Sequence, residues 1–320
     1  MRITLIDGAG SGPASDRLVA ALGIRASTLR LHRLGEETRE GQLSPCGGGF
    51  ECWTDHPGVC STRDQANAIL ADLMACDAVA FVTRPRFGAW DARTKAVLDR
   101  SLGLLSPFFE TSDGETHPRG RYDHYPSWMV FAVGGGRAEE RKRFRTLVHR
   151  NVMNLHAEAP WVAFFDEDAP LASMDAAVGE ALAAIGKPST SSFAGLPPLD
   201  ERLGREGVGR HDDGTPRHVV VWVGSAKPVG TSTSEALGRA LADRLLAKGW
   251  TAEVLAGGAT AKDPERLLAA VGRADLVIPT APVYVDALPA IVLGGLAFLA
   301  DRPSRRRTHW LPIVQCGLPE

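Results

Sequence analysis

Residues 224–234 read Gly-Ser-Ala-Lys-Pro-Val-Gly-Thr-Ser-Thr-Ser, a combination suited to gripping an anion. Glycines let backbone N–H groups come close to a ligand, and Ser225, Thr231, Ser232 and Thr233 add hydroxyl donors. The segment leaves a strand-like run, His218 to Val223, and enters a helical pattern from Glu235 to Lys248 with Leu237, Leu241, Leu245 and Leu246 on one face. A phosphate at that helix start would be favoured by the macrodipole. No Gly-Lys-Ser/Thr ending is present and the dinucleotide spacing is missing, so a single terminal phosphate suits the loop better than a triphosphate or dinucleotide. A plain helix cap with surface hydroxyls is the simpler use of the same residues.

A second turn, Ala281-Pro282-Val283-Tyr284-Val285-Asp286-Ala287-Leu288-Pro289, follows the third strand of the same half. Together the two segments resemble the NAD(P)H-dependent FMN reductases, a flavodoxin-like family whose signature pairs a Gly-Ser-Pro-Arg-x-x-Gly-Asn-Ser phosphate loop with a Pro-x-Tyr turn. Here Ala226 replaces the proline, Lys227 the arginine and Thr231 the asparagine. The resemblance implies that Ser225, Lys227, Gly230, Thr231, Ser232 and Thr233 hold the phosphate of FMN, and that Pro282, Val283, Tyr284 and Val285 border its isoalloxazine. The alternative for Tyr284 is a buried core aromatic. In the third loop, Cys316-Gly317-Leu318-Pro319, backbone N–H groups of Cys316 and Gly317 would face the pyrimidine edge, which gains negative charge on reduction.

The first half is similar to a cysteine-bearing branch of that superfamily, near the iron–sulfur flavoproteins. The match runs from Pro45-Cys46-Gly47-Gly48-Gly49-Phe50-Glu51-Cys52-Trp53 through Pro57-Gly58-Val59-Cys60, Asp77 and Arg84-Pro85-Arg86-Phe87-Gly88 to Lys95–Arg100. Gly49 stands where the second cysteine of the cluster belongs, and three thiolates do not complete a four-ligand cluster. Zinc would want a fourth ligand such as His56. No metal is expected; the reading is a leftover loop whose cysteines pack or lie idle, with a redox-active Cys46–Cys52 pair as the other use. The first phosphate turn, Gly8-Ala9-Gly10-Ser11-Gly12-Pro13, is flanked by Asp7 and Asp16, which oppose a phosphate, while Arg84 and Arg86 from the next loop would offset them. Whether this half binds FMN stays open. His117, Arg121, Tyr122, His124 and Tyr125 form a polar aromatic cluster readable as a nicotinamide or substrate contact, or as a hydrogen-bonded surface loop.

Alternating strands and helices must position these loops. In the first half, apolar runs at Arg2–Asp7, Ala26–Leu34, Ala78–Val82, Trp128–Val133 and Trp161–Phe165 alternate with helical patterns at Ser15–Leu22, Gln65–Met74, Trp90–Leu105, Ala138–His156 and Leu171–Ile185. A long loop spans Gly35 to Arg63. After Gly186 apolar periodicity stops and a linker is expected. The order then restarts: strands at His218–Val223, Thr251–Leu255, Leu276–Thr280 and His309–Val314, helices at Glu235–Lys248, Pro264–Val271 and Pro289–Leu299. The expected fold class is therefore α/β, two tandem flavodoxin-like doubly wound parallel sheets, the second lacking its last strand and helices. The boundaries are 1–186 for a flavodoxin-like domain with the cysteine-bearing loop, 187–216 for the linker and 217–320 for a second, C-terminally incomplete flavodoxin-like domain.

Composition excludes little but points one way. The 320 residues are 44% hydrophobic and 23% charged with a formal net charge of -2, which makes no electrostatic case for nucleic acid or an anionic membrane. Five cysteines are too few for a disulfide scaffold. The longest apolar run, Ala290 to Ala300, is too short to span a bilayer, and the first residues read as a strand rather than a signal peptide, so a cytoplasmic location is expected. The resemblance implies an FMN-dependent NAD(P)H oxidoreductase passing electrons to a quinone, flavin or similar small-molecule acceptor, with no dedicated catalytic side chain, and the unfinished second sheet suggests a homodimer. The competing reading is a non-catalytic flavodoxin-like scaffold or electron-transfer module.

Overall fold

Strands buried on both faces must be apolar along their whole length, and the sequence supplies such runs where the sheet centres lie. The computed structural model describes residues 1–35, 43–112, 114–134, 136–158, 160–186, 217–302 and 308–316; the expected 187–216 linker and Gly317 lie outside the described residues. The first half comprises β1 (Arg2–Asp7), α1 (Pro13–Arg25), β2 (Thr28–Arg33), α2 (Gln65–Met74), β3 (Ala78–Thr83), α3 (Ala92–Asp99), a 3-10 turn (Ser101–Leu104), β4 (Leu105–Ser112), β5 (Glu115–Gly120), β6 (Ser127–Val133), α4 (Ala138–Asn154), β7 (Trp161–Phe165) and α5 (Leu171–Ala184). Its sheet has the order β2-β1-β3-β6-β7, every pairing parallel. Leaving out the β4–β5 hairpin, this is the 2-1-3-4-5 order of the flavodoxin-like doubly wound fold. Alternate residues feed two cores: Val79, Phe81 and Val130 face Ile69, Trp90 and Phe144, while Ala80, Val82 and Phe131 face Leu18, Leu22 and Val178.

The second half comprises β8 (His218–Val223), α6 (Thr233–Leu246), β9 (Thr251–Ala256), α7 (Gly257–Lys262), α8 (Pro264–Arg273), β10 (Leu276–Pro282), α9 (Ala290–Ala300), β11 (His309–Trp310) and β12 (Ile313–Gln315). Its strands are also parallel, in the order β9-β8-β10, with β11 and β12 sharing the lane beyond β10. The expected continuous strand at His309–Val314 is thus two pieces. Pro312, which has no N–H to donate, interrupts it.

Three further expectations are corrected. The region between α3 and β6 is an antiparallel hairpin, not a loop, because Arg121 donates to the carbonyls of Leu105 (3.0 Å) and Trp53 (2.8 Å) and the Tyr125 hydroxyl donates to that of Leu104 (2.7 Å). Arg121 and Tyr125 therefore staple this hairpin, and His117 ties it to Asn154 on α4. The helix expected at Trp90–Leu105 stops at Asp99 and tightens into the 3-10 turn. In α6 the buried stripe is Ser234, Glu235, Gly238 and Ala242, and Leu237 and Leu246 are exposed; small residues let this helix lie close against Val221 and Thr280.

The halves meet where α3 packs on α9. Gly294 approaches Ala92 there, so the small residues set the helix spacing. Lys95 and Asp99, both fully buried on α3, form an i,i+4 ion pair. The Lys95 ammonium also donates to the Tyr284 carbonyl at 2.6 Å, and Asp99 accepts the Ala290 N–H at 2.8 Å. Asp99 so caps α9, whose own N-cap residue, Pro289, makes no side-chain cap bond.

The long first-half loop is anchored by a second buried pair. Arg100 donates to both oxygens of Asp64 (2.8 and 2.6 Å) and to the Thr62 carbonyl (2.9 Å), while Asp64 accepts from the N–H groups of Ser44 and Ala66. Arg100→Met would strand the Asp64 carboxylate. Urea unfolding should then show a loss of about 3–5 kcal/mol; an unchanged midpoint would mean the loop is not held here.

Candidate functional site

The loop after β8 and the turn after β10 emerge side by side at the carboxyl ends of neighbouring strands, where open parallel sheets bind ligands. They line one cavity of about 610 Å³, within the roughly 300–1,000 Å³ usual for small-molecule sites. Ser225, Lys227, Ser232 and Thr233 form its wall on one side, and Pro282, Val283, Tyr284 and Val285 on another, with Cys316 and Gln315 at the rim. Gly230 and Thr231 are not brought to it. Glu235 accepts the Gly230 N–H at 2.7 Å and pairs with Arg239, which hold its carboxyl below the usual carboxylate range, and Thr231 donates to the Pro228 carbonyl at 2.7 Å. That arch turns both residues outward, exposed to solvent. Gly317 lies outside the described residues.

One end of the cavity is the start of α6. Ser232 is the N-cap of α6, nine-tenths buried, and its hydroxyl makes no cap bond. An N-cap hydroxyl left uncommitted beside the first-turn N–H groups of a helix is available to an incoming oxygen. Ser225, also buried, accepts weakly from the Lys227 N–H at 3.3 Å. At the Tyr284 turn, burial, with lesser contributions from Cys46 and Asp99, pushes the phenol up to about 12, so it stays protonated at neutral pH.

The Tyr284 turn has an uncommon backbone. Tyr284 and Ala287 exchange both N–H···O bonds (3.0 and 3.2 Å), and the residues between them, Val285 and Asp286, have φ of 45° and 61°. Two successive positive φ values make a type I′ turn, which ordinarily takes Asn or Gly. A β-branched residue in the left-handed region costs on the order of 1–3 kcal/mol and persists only where its surroundings hold it. The first half repeats this turn at Arg86–Ala89, with φ of 59° at Phe87 and 73° at Gly88.

The rest of the cavity comes from the first half, which the sequence reading did not anticipate. Cys46, Gly48, Phe50 and Trp53 from the cysteine-bearing loop, with Leu105 and Phe109 from β4, form the facing wall. Gly48, at φ 71°, sits where a β-carbon would lie 2.5 Å from the Tyr284 hydroxyl and 2.9 Å from Cε of Lys227, so only glycine lets the loop close on both. The loop is therefore a wall of the cavity rather than a leftover. Its one sequence signal is the run Gly47-Gly48-Gly49. Burial pushes the Cys46 thiol up to about 11. Among the described residues no cluster of three or more His, Cys, Asp or Glu is arranged to hold a metal ion, and the cysteines are free thiols.

The first half's own glycine turn is built beside a buried carboxylate. Burial pushes the Asp7 carboxyl up, opposed by a hydrogen bond from Ser15 and by Arg33 at 3.6 Å. Asp91 and Thr94 occupy the space a side chain at position 8 would need. The arginines expected to offset Asp7 and Asp16 are committed elsewhere: Arg84 to Glu167 and the Ala9 carbonyl, Arg86 to Asp301. Asp16 is paired with Arg33 instead, at 2.6 Å.

No family model and no curated relative matches the chain. Among solved structures it is similar to an FMN-dependent NADH-azoreductase from Bacillus anthracis strain Ames Ancestor, with 13% identity over 58% of this chain and 98% of that one at a TM-score of 0.41. An azoreductase from Bacillus anthracis strain Sterne gives 15% identity over 58% and 100% at 0.40, and a Klebsiella pneumoniae protein provisionally described as a quinone reductase gives 16% over 59% and 86% at 0.41. Likeness at this level leaves the chemistry to be argued from the site itself.

The raised Cys46 thiol makes a direct prediction, since the thiolate is the nucleophile. Iodoacetamide labelling of Cys46, read by peptide mass spectrometry, should be slow at pH 8 and climb about tenfold per pH unit until near pH 11. A rate that levels off below pH 9 would show that the thiol is not buried as described.

Proposed function

We propose that the chain is an FMN-dependent NAD(P)H oxidoreductase of the quinone- or flavin-reductase type, built from two tandem flavodoxin-like units, in which the second unit holds the cofactor and the first closes the site. One observation carries the reading: the hydroxyl-bearing loop and the tyrosine turn, distant in sequence, converge on a single cavity that retains an uncommitted buried serine at its helix end.

In this reading Ser225, Ser232 and Thr233, with the first-turn N–H groups of α6, bind the phosphate, and Lys227 supplies positive charge. Pro282 to Val285 lie along one face of the ring, and the Cys46–Trp53 loop covers the other side and excludes water. The Cys316 N–H serves the pyrimidine edge. When bound, FMN supplies the two-electron transfer between NAD(P)H and a small acceptor such as a quinone or free flavin. That chemistry asks no general base of the chain, whose contribution is to bind, orient and screen. The Phe50, Trp53, Leu105 and Phe109 side of the cavity suits a planar apolar acceptor.

The proposed assembly is a homodimer through the open edge of the second sheet, where Trp310, Leu311 and Val314 are exposed along β11–β12. No helix among the described residues is long and apolar enough to cross a membrane.

Titration of the purified protein with FMN should saturate at about one equivalent per chain, because the first unit's turn carries the buried Asp7 carboxylate and the arginines near it are paired with carboxylates. The bound flavin should bleach anaerobically with NADH or NADPH and recover its colour with a quinone. Ser232→Ala and Lys227→Ala should each weaken FMN by about tenfold, as loss of a hydrogen bond or ion pair to a phosphate does. A protein that takes no FMN would sink the proposal, and one whose flavin exchanges electrons only with a protein partner would favour an electron carrier.

A further inference from the structure

The Tyr284 turn belongs to the second half, yet the groups that hold it come from the first. The Asn151 amide, fully buried on α4, donates to the Val285 carbonyl at 3.1 Å and to the Asp286 carboxylate at 3.0 Å, while its oxygen accepts the Trp90 indole N–H at 2.7 Å. One helical turn on, Asn154 donates to the other Asp286 oxygen at 2.7 Å and is itself fixed by His117 at 2.7 Å. From the opposite side the buried Lys95 ammonium reaches the Tyr284 carbonyl. Three side chains on two helices thus grip three successive residues.

The companion turn shows what the grip is for. At Arg86–Ala89 the second positive-φ position is Gly88, which adopts the left-handed region without strain. At Tyr284–Ala287 the same position is Asp286, preceded by a β-branched valine, and no glycine relieves the backbone. We propose that Asn151, Asn154 and Lys95 are positioning residues: the first unit acts as a clamp that holds the Val285–Asp286 turn in its left-handed conformation, and with it the wall of the candidate flavin site. This rests on the flavin reading above. It gives the first unit a function that does not depend on its own glycine turn.

The test uses the full chain, FMN as the probe, and a glycine rescue that a merely structural role would not produce. Asn154 is only partly buried, so Asn154→Ala should fold; it should weaken FMN by about tenfold and alter the visible circular dichroism of the bound flavin. Asp286→Gly, which lets the turn hold itself, should bind FMN as the parent does. Asn154→Ala combined with Asp286→Gly should recover both affinity and spectrum. Asn151→Ser checks the buried arm, with its melting temperature measured alongside to separate unfolding from a displaced turn. Parental affinity and spectrum in Asn154→Ala and Asn151→Ser would overturn the clamp while leaving the flavin reading intact. Failure of glycine to rescue, or weakening by Asp286→Gly alone, would overturn it too, because the aspartate side chain would then matter for itself. A parent chain that binds no FMN would overturn both.

Discussion

A lysine and an aspartate without access to water need a partner for every charge and lone pair, and Lys95 and Asp99 find part of theirs in the other half of the chain. The desolvation cost of such a pair is large, so its value lies less in stability than in geometry. Any sliding of α9 along α3 would leave a buried ammonium or carboxylate without its hydrogen bond. The pair thereby fixes the start of α9 and the carbonyl of Tyr284 with respect to the first sheet. The walls of the cavity are consequently contributed by two units that share one registration.

That constraint explains why the two halves, alike in strand order, differ in what their loops offer. Each has a turn after its first strand, a type I′ turn after its third, and a helix that packs against its counterpart. In the first half the turn after β1 closes around a buried aspartate, and its arginines answer acidic partners. In the second half the equivalent loop keeps a buried serine free at a helix start. The first half contributes instead through its insertions, the cysteine-bearing loop and the β4–β5 hairpin, which reach over the other unit. One half offers a cradle and the other a cover.

The cover is chemically quiet. A thiol held in its neutral form by burial packs like a small apolar group, and Cys46 stands among Phe50, Trp53 and Tyr284 on those terms. With a glycine at 48 the backbone comes close to the Tyr284 hydroxyl.

Much of the fold was legible without coordinates. Unbroken apolar runs such as Ala78–Val82 and His218–Val223 are strands because nothing else buries such residues on both sides, and their alternation with helical patterns dictates parallel pairing. That the hydroxyl-rich loop and the tyrosine turn lie together was legible because each follows a strand of one parallel sheet, and both line the same cavity. Gly230 and Thr231 escaped, since Glu235 from the next helical turn decides which way the loop arches. The β4–β5 hairpin escaped because its polar residues follow no clean alternation and its pairing is stapled by Arg121 and Tyr125 from beyond the strands. That Arg84 and Arg86 leave the first glycine turn for carboxylates was decided by Glu167 and Asp301, far along the chain. The cysteine loop lying on Tyr284, and the asparagines of α4 gripping Asp286, were decided only when the two units docked. Local pattern reports what a segment is, whereas contacts between residues more than a hundred positions apart exist only once the chain has folded.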